Sequence, residues 1–476
     1  MEQQTNLPSM HEARKRKKGE VEHLQYEIPN HLKGLGAQKS YFIKTYGCQG
    51  NIADSEKIAG IMENLGYSEA PNEEASDVLF FNTCAIRDHA EKRVFGELGR
   101  LKGLKANNPH RLIALCGCMP QEESTIETVQ KKYDQVDIVF GTHNIARLPQ
   151  LLEKAYQKKE RIFEVLSFEG QIIEDIPLKR GHNQKAWVDI MYGCDEFCTY
   201  CIVPYTRGTE RSRYPEDIIR EVTELQEQGY LEVTLLGQNV NAYGKDFTDR
   251  KYGFSDLLSD LQKTNIPRIR FTTSHPRDLD LRTMEVMAQG KNIMPHLHLP
   301  VQSGSNAILK RMNRKYTHEE YAEKIKMLRN LIPNIAITTD IIVGFPQETD
   351  EDFEATLELV RECQFEGAYT FIFSPRQGTP AANFADDIPD IVKKARLLKL
   401  NELINEGFAR GNHRFEGETV EVLVEGVSEK KTRLLNGYTP HNKLVNFEGP
   451  EELIGSMVLV KIEKAYTWHL RGTLVK

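Results

Sequence analysis

Cys194-Asp195-Glu196-Phe197-Cys198-Thr199-Tyr200-Cys201 closes an apolar run, Trp187-Val188-Asp189-Ile190-Met191-Tyr192. Three thiols at C-x3-C-x2-C spacing can converge on one metal centre, and soft thiolates suit zinc or an iron–sulfur cluster. A structural zinc site wants four ligands. No fourth Cys or His lies nearby, His182 being upstream and His275 far downstream. Three ligands from one tight loop instead suit a four-iron cluster with one iron open to a substrate. Three buried core cysteines are the remaining alternative.

Outward from this loop the chain alternates strands and helices. Downstream, Glu232–Leu236, Arg268–Thr273, His296–Pro300, Ile335–Val343 and Ala368–Phe373 have strand character. Pro215–Gln228, Leu279–Ala288, Thr317–Leu331 and Asp350–Cys363 read as helices between them. Such a series predicts a partial or complete TIM-like β/α barrel with its site at the carboxyl ends of the strands. Upstream, strands are expected at Tyr41–Thr45, Val78–Asn82, Leu112–Leu115 and Val136–Phe140, with helices at Asp54–Leu65, Ala85–Leu101 and Pro120–Lys132. That pattern predicts a Rossmann-like unit with a mainly parallel sheet.

Cys48, Cys84 and Cys118 each follow one of these upstream strands. Ligands of open α/β sheets gather at the carboxyl ends of strands, so three thiols distant in sequence are expected to converge there as a second metal site. The alternative is three scattered small hydrophobes. Cys116 falls within its strand and is expected to point into the core, whereas Cys118 emerges after Gly117. Cys363 lies in a helical pattern and reads as a buried thiol.

Past about Gly411 the pattern changes to short strands, Thr419–Val424, Lys431–Leu435, Leu444–Phe447, Met457–Ile462 and His469–Val475, punctuated by Asn436-Gly437, Gly449-Pro450 and Gly455. This predicts a small all-β barrel. The expected organisation is therefore α/β and multidomain: 1–38 a basic extension, 39–155 the Rossmann-like domain, 156–180 a linker, 181–410 the β/α domain and 411–476 the barrel. Arg14-Lys15-Arg16-Lys17-Lys18 is expected to lie on a solvated, mobile arm.

Composition narrows the class. The 476 residues are 28% charged and 39% hydrophobic, ordinary for a globular chain. No run approaches membrane-spanning length and the amino terminus lacks an apolar signal core, so a cytoplasmic protein without a membrane partner is expected. Eight cysteines in such a chain favour metal or redox chemistry over a disulfide framework. A formal charge of −7 does not advertise nucleic-acid binding, though it can hide a local basic face.

At this point the residues resemble a known family. The middle section is similar to the radical S-adenosylmethionine (SAM) superfamily. From about residue 39 the chain resembles the methylthiotransferases, in the branch acting on isopentenyl-adenosine of tRNA. The resemblance rests on Thr45-Tyr46-Gly47-Cys48-Gln49, Asn82-Thr83-Cys84-Ala85-Ile86-Arg87, Cys116-Gly117-Cys118-Met119 and Cys194 to Gly208. It extends to Leu236-Gly237-Gln238-Asn239-Val240, Thr273-Ser274-His275-Pro276, Leu299 to Ser305 and Asp340 to Glu348. Gly50 departs from the pattern, where the family usually has Met.

The resemblance implies that Cys194, Cys198 and Cys201 hold a 4Fe–4S cluster that binds SAM. It also implies that Cys48, Cys84 and Cys118 hold an auxiliary 4Fe–4S cluster. The implied reaction converts N6-isopentenyladenosine at position 37 of tRNA into its 2-methylthio derivative. A first SAM would methylate sulfur at the auxiliary site, and a second would yield the radical that activates C2. The C-terminal barrel would be an RNA-binding TRAM domain, and the further partners a sulfur donor and a reductant such as flavodoxin or ferredoxin. Gly237, Gln238 and Asn239 would contact SAM, and Ser274, Gln302 and Asp340 SAM or the substrate. Each is alternatively a turn or capping residue. Arg207, Arg211 and Arg213 are candidates for phosphate or carboxylate contacts, against the plainer expectation of solvated loop arginines. Rival readings are the sister enzymes acting on threonylcarbamoyl-adenosine of tRNA or a ribosomal-protein aspartate, and a non-catalytic iron–sulfur RNA-binding protein.

Overall fold

The computed structural model describes residues 2–7, 10–15, 21–85, 88–158, 160–167, 170–181, 184–428 and 434–475. The first α/β unit is built on a seven-stranded, all-parallel sheet. From one edge its strands run Glu2–Thr5, Ile162–Val165, Ile138–Phe140, Leu112–Gly117, Val78–Thr83, Ser40–Tyr46 and Ser68–Glu69. The central strands Val78–Thr83 and Leu112–Gly117 are buried at every position, because helices cover both faces. Phe80, Ala114 and Cys116 face the core beneath helix Gln49–Asn64, while Leu79, Phe81, Ile113 and Leu115 face the core on the other side. The alternation of a strand thus turns Cys116 inward.

The amino-terminal stretch departs from the expected solvated arm. Glu2–Thr5 adds an edge strand beside Ile162–Val165, and Ala13 is buried beside Ala85 and Cys118. Arg14 Nε donates to Tyr205 Oη at 3.1 Å. Arg16, Lys17 and Lys18 lie outside the described residues. The linker is also richer in strands than its charge suggested, since Gln171–Glu174 pairs in parallel with Glu22–Gln25. Main-chain pairing, not side-chain polarity, decided both segments.

The central unit has six parallel strands in two three-stranded sheets. Lys185–Asp189, Glu232–Leu236 and Arg268–Phe271 form the first, and His296–His298, Ala336–Val343 and Ala368–Ile372 the second. An isolated bridge, Ile269 to Ile293, continues the first sheet toward the second. Thr317 caps helix His318–Leu331 and Thr349 caps helix Asp350–Cys363, each with a reciprocal acid three residues on. Helix Asp390–His413, which the sequence reading did not identify, leads out of this unit.

The chain ends in a closed five-stranded barrel, ordered Thr419–Val427, Leu434–Tyr438, Leu444–Glu448, Leu470–Leu474, Met457–Ala465. Asn436-Gly437 is not a turn but lies inside the second strand. Gly437 pairs with Val424 and Val445 and leaves no room for a Cβ against Leu423. Close strand crossing, rather than a chain reversal, requires glycine there. The barrel docks on the central sheet through buried arginines. Arg268, 1% exposed, reaches Glu421 Oε1 at 2.8 Å and Tyr438 O at 2.9 Å. Arg270 donates to Thr439 O and Pro440 O. No helix among the described residues is long and apolar enough to cross a membrane.

Candidate functional site

Three neighbouring parallel strands deliver the first thiol set. Cys48 follows Ser40–Tyr46 and stands at the N-cap of helix Gln49–Asn64. Cys84 follows Val78–Thr83, and Cys118 follows Leu112–Gly117. Gly117 makes the last turn with φ +95°, and a Cβ there would collide with Asn82 and the Thr83 carbonyl. Asn51 braces the loops, its Nδ2 donating to Asn82 Oδ1 at 3.1 Å and Thr83 O at 3.2 Å. A hydrogen bond with Cys84 brings the Cys48 thiol down to about 5, against the pull of burial and with help from Arg207. Burial pushes Cys118 up, with Arg207 in partial opposition. Cys116, lying in the core, is pushed up further by burial. Ile86 and Arg87 of the second cysteine motif lie outside the described residues.

The second set is shaped by its own loop. Gly193 has φ +79° where the chain presses against Thr209, and its N–H donates to Gln238 Oε1 at 2.5 Å. Cys194 N donates to Gly208 O at 3.1 Å. Asn313 Nδ2 holds the carbonyls of Glu196 and Phe197 at 3.2 and 3.0 Å, while Arg314 Nη1 donates to Cys198 Sγ at 3.4 Å. Burial, then the neighbouring thiols, lift Cys194 well above its ordinary value and Cys201 to about 12. The raised Cys194 and Cys201 thiols would give up their protons on binding a metal.

The spread of the thiols bears on which metal they suit. Four sulfurs around one zinc ion lie about 4 Å apart. Among the described residues, the one trio of ligand atoms all within 4.8 Å of one another is Glu196, His275 and Asp278. Neither thiol set meets that spacing, so neither is preformed as a tight single-ion site. The two sets also approach each other, because Ala85, Cys118, Ile202 and Tyr205 share one small apolar core with Phe197 against it.

The remaining sequence candidates fall into different roles. A Cβ on Gly237 would sit 2.7 Å from Met191 Cγ, so glycine permits packing there. Gln238 spends its carbonyl on Gly193. Asn239 Nδ2 donates to Asp278 Oδ2 at 2.6 Å, but its Oδ1 and the Ser274 hydroxyl are buried without a hydrogen-bond partner. Orphaned buried polar atoms of this kind fit a polar ligand. Gln302 has φ +74° and joins Asp340 O through its N–H at 2.8 Å. Asp340 Oδ1 lies 3.4 Å from His298 Nε2. The arginines are not solvated: Arg207, Arg211 and Arg213 are all buried. Arg213 pairs with Glu174 and Glu221 and serves the junction of the units.

Several neighbours escaped the sequence reading. Arg314 and Asn313 touch the second loop from far along the chain. Glu196 pairs with Arg277, and His275 is held well below its ordinary value by burial and then by Arg314. Tyr369 and Phe371, 67% and 45% exposed, alternate onto the open face of the last central strand. They stand opposite Asp340 and Ile342 in register, and Tyr369 meets the His298 ring edge-on at 5.9 Å. Aromatics at alternating positions, Tyr369 and Phe371, were the available signal.

Comparison with known proteins agrees with this layout. Residues 40–141 match the Uncharacterized protein family UPF0004, residues 188–360 the Radical SAM superfamily and residues 413–475 the TRAM domain. The fold is similar to that of the radical S-adenosylmethionine methyltransferase TsrM from Kitasatospora setae, with TM-score 0.54 and 11% identity over 72% of this chain and 77% of that one. A tRNA-2-methylthio-N(6)-dimethylallyladenosine synthase from Anoxybacillus flavithermus is 57% identical over 98% of this chain and 89% of its own length. One from Bacillus subtilis is 56% identical over 98% and 92%. With its three matched regions in order and relatives aligned along nearly its whole length, the chain belongs to the family of tRNA-2-methylthio-N(6)-dimethylallyladenosine synthases, within the radical SAM superfamily.

Proposed function

We propose that this chain is a cytoplasmic tRNA methylthiotransferase converting N6-isopentenyladenosine at position 37 to its 2-methylthio derivative. The observation that carries the reading is that the loops bearing the two thiol sets, one on each α/β unit, share a small apolar core, with Ala85 and Cys118 from one and Phe197, Ile202 and Tyr205 from the other. Cys194, Cys198 and Cys201 would hold the 4Fe–4S cluster that binds SAM, and Cys48, Cys84 and Cys118 a second one. When bound, these groups supply radical formation and a sulfur site, chemistry no side chain offers at a non-acidic C–H bond.

The chain's own residues bind, orient and shield. Asn313 and Arg314 hold the central loop in shape. Asn239 and Ser274, with their orphaned polar atoms, would take the polar end of SAM, with Gln302, past a later strand, and Asp340, inside the next one, as further contacts. Gln238 and Gly237 act by holding the loop and allowing its approach. Tyr369 and Phe371 offer stacking and apolar surface to the adenine and its isopentenyl tail, since aromatic faces hold splayed RNA bases. In this assignment residues 39–155 carry the sulfur site, 181–410 the SAM site and 411–476 the tRNA contact. A reductant such as flavodoxin or ferredoxin and a sulfur donor complete the set of partners.

Anaerobic reconstitution tests this. The full chain should bind about eight irons and eight sulfides. With SAM, a reductant and isopentenylated tRNA it should yield the methylthio nucleoside by mass spectrometry, while tRNA lacking the isopentenyl group stays unmodified. About four irons after full loading would rule out the paired clusters, and a product from threonylcarbamoyl-adenosine would redirect the substrate.

A further inference from the structure

Arg207 begins in the central unit, shortly past Cys201, and ends in the other one. Its side chain is 8% exposed. Nε donates to Cys118 Sγ at 3.3 Å, and Nη2 donates to Asp54 Oδ2 at 2.6 Å. Asp54 is itself buried, on helix Gln49–Asn64 beside Cys48. A Cβ on Gly50 would lie 3.6 Å from both Arg207 Nη2 and Cys48 Sγ, so the guanidinium borders two of the three thiols. A guanidinium stays protonated even when buried. It is a permanent positive charge, and low local dielectric makes it strongly felt.

The same contacts would serve an ordinary interdomain ion pair, but that reading leaves the sulfur contact unexplained. Lys57–Asp189, and Arg180 bridging Glu56 and Glu221 from the linker, already pin the two units together without touching a cysteine. We propose that Arg207 is a positioning residue for the sulfur site. From the neighbouring unit it orients Cys118 and sets a positive charge against the cluster held by Cys48, Cys84 and Cys118, with Asp54 as the opposing charge. The inference rests on the assignment of a cluster to those thiols.

The charge has a direct consequence for electron uptake. Reduction passes one electron from dithionite to the cluster, and no bond or proton moves. The added negative charge is favoured by Arg207 and disfavoured by Asp54. Removing either charge must therefore shift the midpoint potential, in opposite directions, which mere loosening of the fold would not do.

The test uses the full chain with Cys194, Cys198 and Cys201 all changed to Ala, so that only the sulfur site remains. It is loaded anaerobically with iron and sulfide, then titrated with dithionite under electron paramagnetic resonance. The parent should hold about four irons. Arg207→Gln should lower the reduced-to-oxidised ratio at fixed potential at least tenfold, a fall of about 59 mV for one electron. Asp54→Asn should raise the potential, and Arg207→Lys, which keeps the charge, should stay near the parent. If Arg207→Gln loses its iron, the rise in Asp54→Asn with a steady Arg207→Lys still supports the proposal. Four irons with unmoved potentials, or shifts of the same sign in Arg207→Gln and Asp54→Asn, would overturn it alone. A parent that binds no iron overturns the cluster assignment and this inference with it.

Discussion

Two cysteines one residue apart have opposite fates. Cys116 turns into the core under helix Gln49–Asn64, and Cys118 emerges beyond Gly117. Cys116→Ala should therefore cost about 1–2 kcal/mol of stability and keep full iron, whereas Cys118→Ala should lose about half of it. Iron analysis of the two variants side by side checks this, and the reverse result would exchange their roles. A different residue-level effect is expected at His441. Burial, then Arg414 and Lys443, lowers its imidazole to about 4. Unfolded, the ring takes a proton below about 6.5, so the unfolded state binds more protons between pH 6.5 and 4. Stability is present above that window and declines as pH falls through it, by up to about 3 kcal/mol. The thermal midpoint of His441→Gln should vary less over this range; an equal slope would remove His441 as the cause. The cysteines were legible from spacing and strand alternation alone. Arg314 and His441 were not, and Arg207 was a candidate without its partners, because these environments are made by residues far away in sequence.

Among the elements, the strand ends do most to place chemistry. Gly117→Ala would put a side chain at φ +95° against Asn82 and Thr83. The strain is expected to cost about 1–3 kcal/mol and to shift Cys118. Reduced iron occupancy together with a lower thermal midpoint is the expected reading, and normal values for both would show that the turn can relax. On the last central strand, Tyr369→Ala should weaken tRNA modification more than SAM cleavage, since the ring faces open space and touches neither thiol set. Equal loss of both activities would place it in the SAM site instead. Helical and parallel-strand periodicity carried well: Glu232–Leu236 and Asp350–Cys363 match their expected bounds. Helix Asp390–His413 did not announce itself, because its polar and apolar residues are too evenly mixed to show a clean stripe. Asn436-Gly437 misled for the opposite reason, a familiar turn pair used for close strand packing.

Across the whole molecule, buried charges help to join the units. Arg268 and Arg270 fasten the barrel to the central sheet, and Lys57 and Arg180 fasten the amino-terminal α/β unit to the same body. Breaking one partner of a pair with both charges largely out of water, such as Lys57–Asp189, is costly, about 3–5 kcal/mol, because the other charge stays buried. Arg268→Ala removes the contacts to Glu421 and Tyr438 O, and should expose residues 414–418, between helix Asp390–His413 and the barrel, to limited proteolysis while both thiol sets keep their iron. An unchanged cleavage pattern would show that the remaining contacts suffice. Local patterns revealed each unit separately. Their docking depends on single arginines whose partners lie in another unit, and no local pattern encodes that.

The seven-stranded sheet also has a guarded flank. Glu2–Thr5 covers the outer side of Ile162–Val165, a strand buried at every position. Deleting residues 1–7 would bare a row of unpaired amides and carbonyls on an apolar strand, the template along which separate chains zip together. The first few residues then act as a solubility guard for the seven-stranded sheet and the three thiols at its strand ends. Their loss would register as light scattering at concentrations where the full chain stays clear, even with the thiols and the barrel untouched.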